Sequence, residues 1–329
     1  MNDAADIRKP RAIVGQGAYR YEIIDDWARL PEGWVLQEVA GIGTDEQDNV
    51  FLFTRGTHPV IKLDRDGTVL DSWGQGMFVR PHGLQMAPDG TIFLTDEQDH
   101  TVRQFTTDGR LLMQVGQSRT PAPFMSGKPF CRCCDVAFAP NGDFFVADGY
   151  ANARVHRYSP DGKLLLSWGE CGSGPGQFNV VHDICCDADG WVYVADRENH
   201  RIQVFDGKGK VEAVWHDLHR PCGLFMPKGS RQIMYVGELG PAIRTNKDYP
   251  NLGPRLSILD NDGNLLARLG ADRPGLGPDQ FMGPHGMAVD SRGDLYVGEV
   301  SYAQWPFYFE GPPPENMRCL RKLRKLPAA

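Results

Sequence analysis

Apolar and polar residues alternate in short runs along most of the chain, and each run is cut by a turn. GLQMAPDGTIFLTD, VAFAPNGDFFVAD, ICCDADGWVYVAD and GMAVDSRGDLYVGE share the pattern: a few residues of period two, a Pro-Asp-Gly-like turn, then a second run ending in an acid. Period two is the repeat of a strand packed on a core, and the Asp-Gly and Asn-Gly pairs are tight-turn residues. The chain therefore predicts many short strands. Its 38 glycines and 24 prolines argue against long helical bundles.

The runs recur. Residues 82–98, 134–150, 182–198, 222–239 and 285–301 align with one another, and 41–57 is a weaker sixth copy. A third run and a second turn usually follow (KLDRDG, QFTTDG, RYSPDG, VFDGKG, ILDNDG), then a fourth run such as LLSWG. Four short strands in about 50 residues make a propeller blade, so an all-β, six-bladed β-propeller is expected. A β-sandwich would not repeat its own sequence this way. The last unit lacks a fourth strand after MRCLRKLRKL, and AYRYEII (18–24) can supply it and close the ring. The expected organisation is an N-terminal arm, 1–17, and one propeller domain, 18–329. With strands lettered A to D outward, the A–B turns lie on one face. The lead-ins to A and the longer loops after B lie on the other, where chemistry is expected.

Charge and composition narrow the function. A net charge of −7 gives no nucleic-acid footprint, and no apolar run is long enough to span a bilayer. The N-terminal MNDAADIRKPRA has no apolar signal region, so a cytoplasmic location is expected. The eight cysteines are then expected as free thiols; Cys133–Cys134 and Cys185–Cys186 are adjacent pairs that cannot close unstrained bridges.

Counting back eight residues from each A–B turn gives Gly41, His82, Cys134, His182 and His285, with Cys222 in the same place in the fifth unit. The three histidines thus fall on alternate blades, about 120° apart at one height on a six-fold ring. That pattern fits an open three-histidine metal site better than three unrelated strand caps. Zn²⁺ is the default, and other divalent transition metals suit imidazole too. Cys134 and Cys222 are either small buried side chains or alternative soft ligands. A second ring, at the end of strand B, reads Arg55, Asp96, Asp148, Asp196, Glu238 and Glu299. The acids can hold backbone N–H groups of neighbouring loops. Arg55 needs an anionic partner, either one of those acids or a substrate. Tyr150 and Arg197 follow just beyond, on the histidine face. A nearby cation would ease ionisation of Tyr150.

VADGYANARVHRYSPDGKLLLSWGECGSGPGQFNVVHDI and VADRENHRIQVF, within an NHL-type propeller, resemble the peptidyl-α-hydroxyglycine α-amidating lyases over about residues 50–300. The resemblance implies a zinc held by His82, His182 and His285, a catalytic Tyr150, and active-site Arg55 and Arg197. It implies cleavage of an α-hydroxyglycine terminus to an amide and glyoxylate. Some features depart from the family. Gly286 stands where the family has a calcium-binding Asp, which argues against Ca²⁺. Of the family's bridges, Cys131 has a counterpart, but its partner position is Ala151, and the other pair falls on Tyr193 and Val204. The loops at 240–255 and 301–317 are enlarged and overhang the metal face.

The expected function is therefore a metal-dependent lyase acting on a carbinolamide, with Tyr150 as general base and Arg55 and Arg197 on the anionic end. Two rivals differ in kind: a metallohydrolase of an amide, ester or lactone, and a non-enzymatic NHL binding platform. The expected partner is a small anionic or hydroxylated organic substrate, with no nucleic acid and no membrane; an oligomer is left open.

Overall fold

Six antiparallel sheets follow one another in chain order in the computed structural model, which describes residues 12–227, 233–243 and 245–328. Their inner strands are Val39–Thr44, Pro81–Met86, Asp135–Phe138, Val181–Cys186, Pro221–Phe225 and Pro284–Val289, side by side around a central channel. Each of the first five sheets uses four consecutive strands. The sixth borrows its outer strand from the N-terminus, as the sequence predicts: Tyr21–Ile24 pairs with Leu320–Lys325, Tyr21 opposite Lys325. Ile13–Val14 adds a short fifth strand, so this sheet begins before residue 18. Residues 1–11 of the expected arm, and the 228–232 turn of the fifth repeat, lie outside the described residues.

The strand patterns follow from this stacking. Second strands such as Val50–Thr54 and Phe144–Asp148 are buried along their whole length, because neighbouring blades cover both faces. Outer strands such as Leu111–Gly116 are covered on little of their length and stay largely exposed. Between the first two blades, Phe51, Phe53, Leu84, Ile92 and Phe105 form one cluster. Each such side chain contributes about 1.5–3 kcal/mol on burial. At the closure, the buried Tyr21 and Tyr235 hydroxyls hydrogen-bond at 2.9 Å, joining blade six to blade five.

Glycine lets the inner strands approach near the channel. A Cβ on Gly223 would lie 1.9 Å from the His285 carbonyl oxygen. Gly223→Ala must therefore push blade five from blade six. We expect a cost of about 1–3 kcal/mol, read as a lowered thermal midpoint against wild type. An unchanged midpoint would show that this contact does not set the spacing.

The blade-six insert departs from a plain loop. Ser301–Tyr308 forms an α-helix, α1, which buries Ser301, Gln304 and Tyr308. The Tyr308 hydroxyl bonds the Leu239 carbonyl, and the Ala303 N–H bonds Glu38. The helix is thereby tied to blade five and to the lead-in of blade one. Among the described residues, no helix is long and apolar enough to cross a membrane.

Candidate metal centre

His82, His182 and His285 meet on the channel axis. Their ring centroids are 4.9, 4.7 and 4.9 Å apart, close to an equilateral triangle. Each ring is held by the blade that follows it. Nδ1 of His82 donates to the Cys134 carbonyl at 2.9 Å, that of His182 to Cys222 at 2.6 Å, and that of His285 to Ala40 at 2.7 Å. A carbonyl can only accept, so Nδ1 carries the hydrogen and Nε2 is left bare. Burial pushes all three imidazoles below their ordinary range, His285 to about 3, and nearby cationic side chains add to it. The result is three neutral donors, all buried, with candidate ligand atoms within 4.8 Å of one another. This donor set fits a divalent transition metal.

Tyr150 reaches the same point from the end of blade three's second strand. Gly149 makes this possible: a Cβ there would sit 1.8 Å from the Val181 carbonyl oxygen of blade four. The Tyr150 hydroxyl lies 3.2 Å from His82 Nε2 and 2.9 Å from His182 Nε2, and accepts from Arg197 Nη1 at 3.4 Å. Burial pushes its phenol up, and the Arg197 charge opposes that.

Blade one runs one residue earlier than expected: Val39 pairs with Thr54 as Pro81 pairs with Asp96, so Ala40 rather than Gly41 takes the first-ring place and Thr54 rather than Arg55 the second, and Arg55 pairs with no acid of that ring. Its Nη1 pairs with Glu38 at 2.6 Å, an acid outside the second ring, and its Nε donates to the Pro81 carbonyl at 3.1 Å. The ring acids latch loops instead. Asp96 accepts from the Val79 N–H at 2.6 Å, Asp148 from Cys131 at 3.0 Å and Asp196 from Asn179 at 2.7 Å. Glu238 accepts from His219 at 2.6 Å and Glu299 from Met282 at 2.7 Å. In each case the acid fixes the lead-in to its own blade's inner strand. This sets the height of the first residue on the axis, and so aligns the histidines.

All eight cysteines are free. Burial pushes the Cys134 and Cys222 thiols up, and both point their hydrogens elsewhere, to the Arg132 and Pro284 carbonyls. Their backbone carbonyls are what serve the histidines. At position 286 a Cβ would lie 2.7 Å from the Ala40 carbonyl oxygen, which leaves no room for an aspartate in this packing. Asp135 and Asp183, the residues after Cys134 and His182, are buried against each other, and burial pushes both carboxyls up, Asp135 to about 6. Such a pair holds one proton between them.

Several charged residues at the mouth were not singled out from the sequence. Glu97 pairs with both Arg80 and Arg132, each at 2.7 Å, and Glu198 pairs with Arg197 at 2.7 Å and Arg220 at 3.0 Å. The guanidiniums of Arg132 and Arg197 lie 4.8 and 5.3 Å from the Tyr150 ring centroid. A signal for three of them was present. Arg80, Arg132 and Arg220 each stand two residues before a ring position. A larger cavity, about 770 Å³, opens on the opposite face and is lined by A–B turns and apolar residues such as Met86, Phe138 and Met226. The histidine cluster and Tyr150 lie on the other side of the channel.

Residues 178–205 match the NHL repeat. The chain is 30% identical over 304 residues to NHL repeat-containing protein 3 of Homo sapiens, covering 87% of this chain and 82% of that protein. The chain belongs to the NHL-repeat family. It is also 31% identical over 253 residues to peptidyl-alpha-hydroxyglycine alpha-amidating lyase 1 of Drosophila melanogaster, covering 71% of this chain and 45% of that protein. This chain spans less than half the length of the first amidating relatives it matches. Among solved structures, virginiamycin B lyase from Staphylococcus aureus superposes with a TM-score of 0.56 at 14% identity, covering 88% of this chain and 96% of that one, a likeness of fold.

Proposed function

We propose that the protein is a metal-dependent lyase that cleaves the C–N bond of an N-acyl α-hydroxyglycine, releasing an amide and glyoxylate. The observation that carries this reading is the Tyr150 hydroxyl, held within 3.2 Å of two inward-facing Nε2 atoms and beside Arg197. Similarity to proteins named for that lyase activity supports it.

His82, His182 and His285 would hold the ion, zinc by default. When bound, a divalent cation supplies Lewis acidity that favours loss of a proton from a hydroxyl at the site. Tyr150, held as phenolate by the Arg197 charge and by a cation at the histidines against the effect of its burial, would be the general base for the substrate hydroxyl proton. As that proton leaves, the C–O bond becomes a carbonyl and the C–N pair departs with nitrogen. Nitrogen then takes up one proton, so the products together have the composition of the substrate and no water is consumed. Arg55 and Arg197 bind the carboxylate and offset charge as it develops. Their own acids, Glu38 and Glu198, keep the two guanidiniums in place when the site is empty of substrate.

The substrate is small. Helix α1 packs Ala303 against Ala40 and Cys222 at the mouth, and beyond it Pro306, Phe307, Tyr308 and Phe309 line a cleft of about 330 Å³ with Ala242 and Lys247 of the blade-five loop. Trp305 and Phe309 stack at 4.4 Å and stiffen it. The test supplies metal-loaded protein with N-benzoyl-α-hydroxyglycine and with hydroxyglycine-terminated peptides several residues long. Benzamide and glyoxylate should appear in equal amounts, with higher kcat/KM for the short compound. Hydrolysis of esters or lactones with no glyoxylate from either compound would overturn the lyase reading. Equal or better use of the peptides would overturn the narrowed mouth.

A further inference from the structure

We propose a second anion subsite at the mouth of the channel, formed by Arg80 and Arg132, so that the preferred substrate carries a second negative group, carboxylate or phosphate, on its acyl side. The inference rests on the reading above and extends it to the class of substrate.

The charges at the mouth do not balance. Arg55 has one acid to itself and is nearly buried, with a side chain 10% exposed. Arg80 and Arg132 share a single carboxylate, Glu97, whose two oxygens each take one Nε at 2.7 Å. Glu97 is 2% exposed and has no oxygen left over, so one positive charge there lacks a counterpart. Only the Nε edge of each guanidinium is used. Among the described residues, no hydrogen bond engages their terminal nitrogens, and the two side chains are 38% and 40% exposed. Arg197 and Arg220 share Glu198 in the same ratio, but they are 12% and 6% exposed, and each nitrogen of Arg220 already has an acceptor in Glu198 or the Gly240 carbonyl. Arg80 and Arg132 are therefore the open pair.

Their place in the fold puts that pair beside the chemistry. Each stands two residues before a ring position, His82 or Cys134, and so at the channel mouth. The Arg132 guanidinium lies 4.8 Å from the Tyr150 ring centroid, and Arg80 joins it through Glu97. Glu97 fixes the inner edge of both forks, so the outer edges are preorganised for a bidentate acceptor. A local cationic excess in a chain of net charge −7 also selects an anion electrostatically. With the substrate's carboxylate on Arg55 and Arg197, a second anion on the acyl portion would complete the pairing.

The test is calorimetric binding of butanoate, glutarate and 4-phosphonobutanoate to the metal-loaded protein. At least one dianion should bind about tenfold or more tightly than butanoate, the worth of one charge-assisted pair. Preference for the phosphonate alone would assign the subsite to phosphate, and preference for glutarate to a carboxylate. Arg80→Gln with Arg132→Gln should erase the preference. If that variant does not fold, Arg132→Lys, which keeps the charge and loses the fork, should reduce it. Equal binding of all three compounds by wild type, or an undiminished preference in folded variants, would overturn the subsite. Dianion preference without glyoxylate release from any hydroxyglycine would uphold the subsite and sink the lyase reading alone.

Discussion

The double variant His82→Ala, His182→Ala should retain no stoichiometric transition metal after gel filtration, where the wild-type protein carries about one ion per chain, the number one axial site holds. Two of the three converging Nε2 donors are gone, and the remaining His285 offers one imidazole. The fold should survive. The ring is held by strand pairing and by the acid latches, none of which involves a histidine on the axis. What is lost is one hydrogen bond to each of the Cys134 and Cys222 carbonyls and the Tyr150 hydroxyl's contacts with the two Nε2 atoms, at a net cost of about 1 kcal/mol per bond. Metal content by elemental analysis and a circular-dichroism melt separate the two effects. Full metal content in the folded variant would place the site elsewhere and remove the basis for any chemistry on the axis. Glyoxylate release should vanish with the metal.

The histidine triangle was legible because repetition converts spacing into geometry. Residues at one offset from equivalent turns must share one height, and alternate blades must face one another across the axis. His82, His182 and His285 follow from those two facts alone. The strand that closes the ring was legible for a related reason, since the last repeat visibly lacked its fourth run. Glu38 was not legible. It lies ahead of the 41–57 copy, and only the folded register shows that it answers to Arg80 and Arg220: the Glu38 carbonyl accepts the Arg55 N–H as the Arg80 carbonyl accepts that of Glu97 and the Arg220 carbonyl that of Leu239. Helix α1 was hidden by its composition: SYAQWPFY has a proline and four aromatics, and the helix exists because Ser301, Gln304 and Tyr308 share a face that packs on the mouth. The Arg132 contact with Tyr150 belongs to no local pattern. Both residues are in blade three, 18 positions apart, and meet only because the lead-in and the loop after strand B share one end of the sheet.

Tyr150→Phe should keep the metal and the fold and lose most of the turnover, by about 10²–10⁴-fold, the worth of a positioned proton acceptor. The ring itself is not at issue. A phenylalanine leaves the contacts with the Arg132 and Arg197 guanidiniums in place, and Arg197 keeps Glu198 at 2.7 Å after losing its longer bond to the hydroxyl. The histidines lose one neighbour at about hydrogen-bond distance but keep their Nδ1 anchors, so metal content should be unchanged. The kinetic split is the informative readout. A group that acts on the hydroxyl proton is needed in the transition state more than in the bound substrate, so kcat should fall with KM nearly constant. A rise in KM at constant kcat would make Tyr150 a binding group, and the base would have to be sought elsewhere on the axis. Turnover equal to wild type would remove Tyr150 from the reaction and, with it, the observation on which the lyase reading stands.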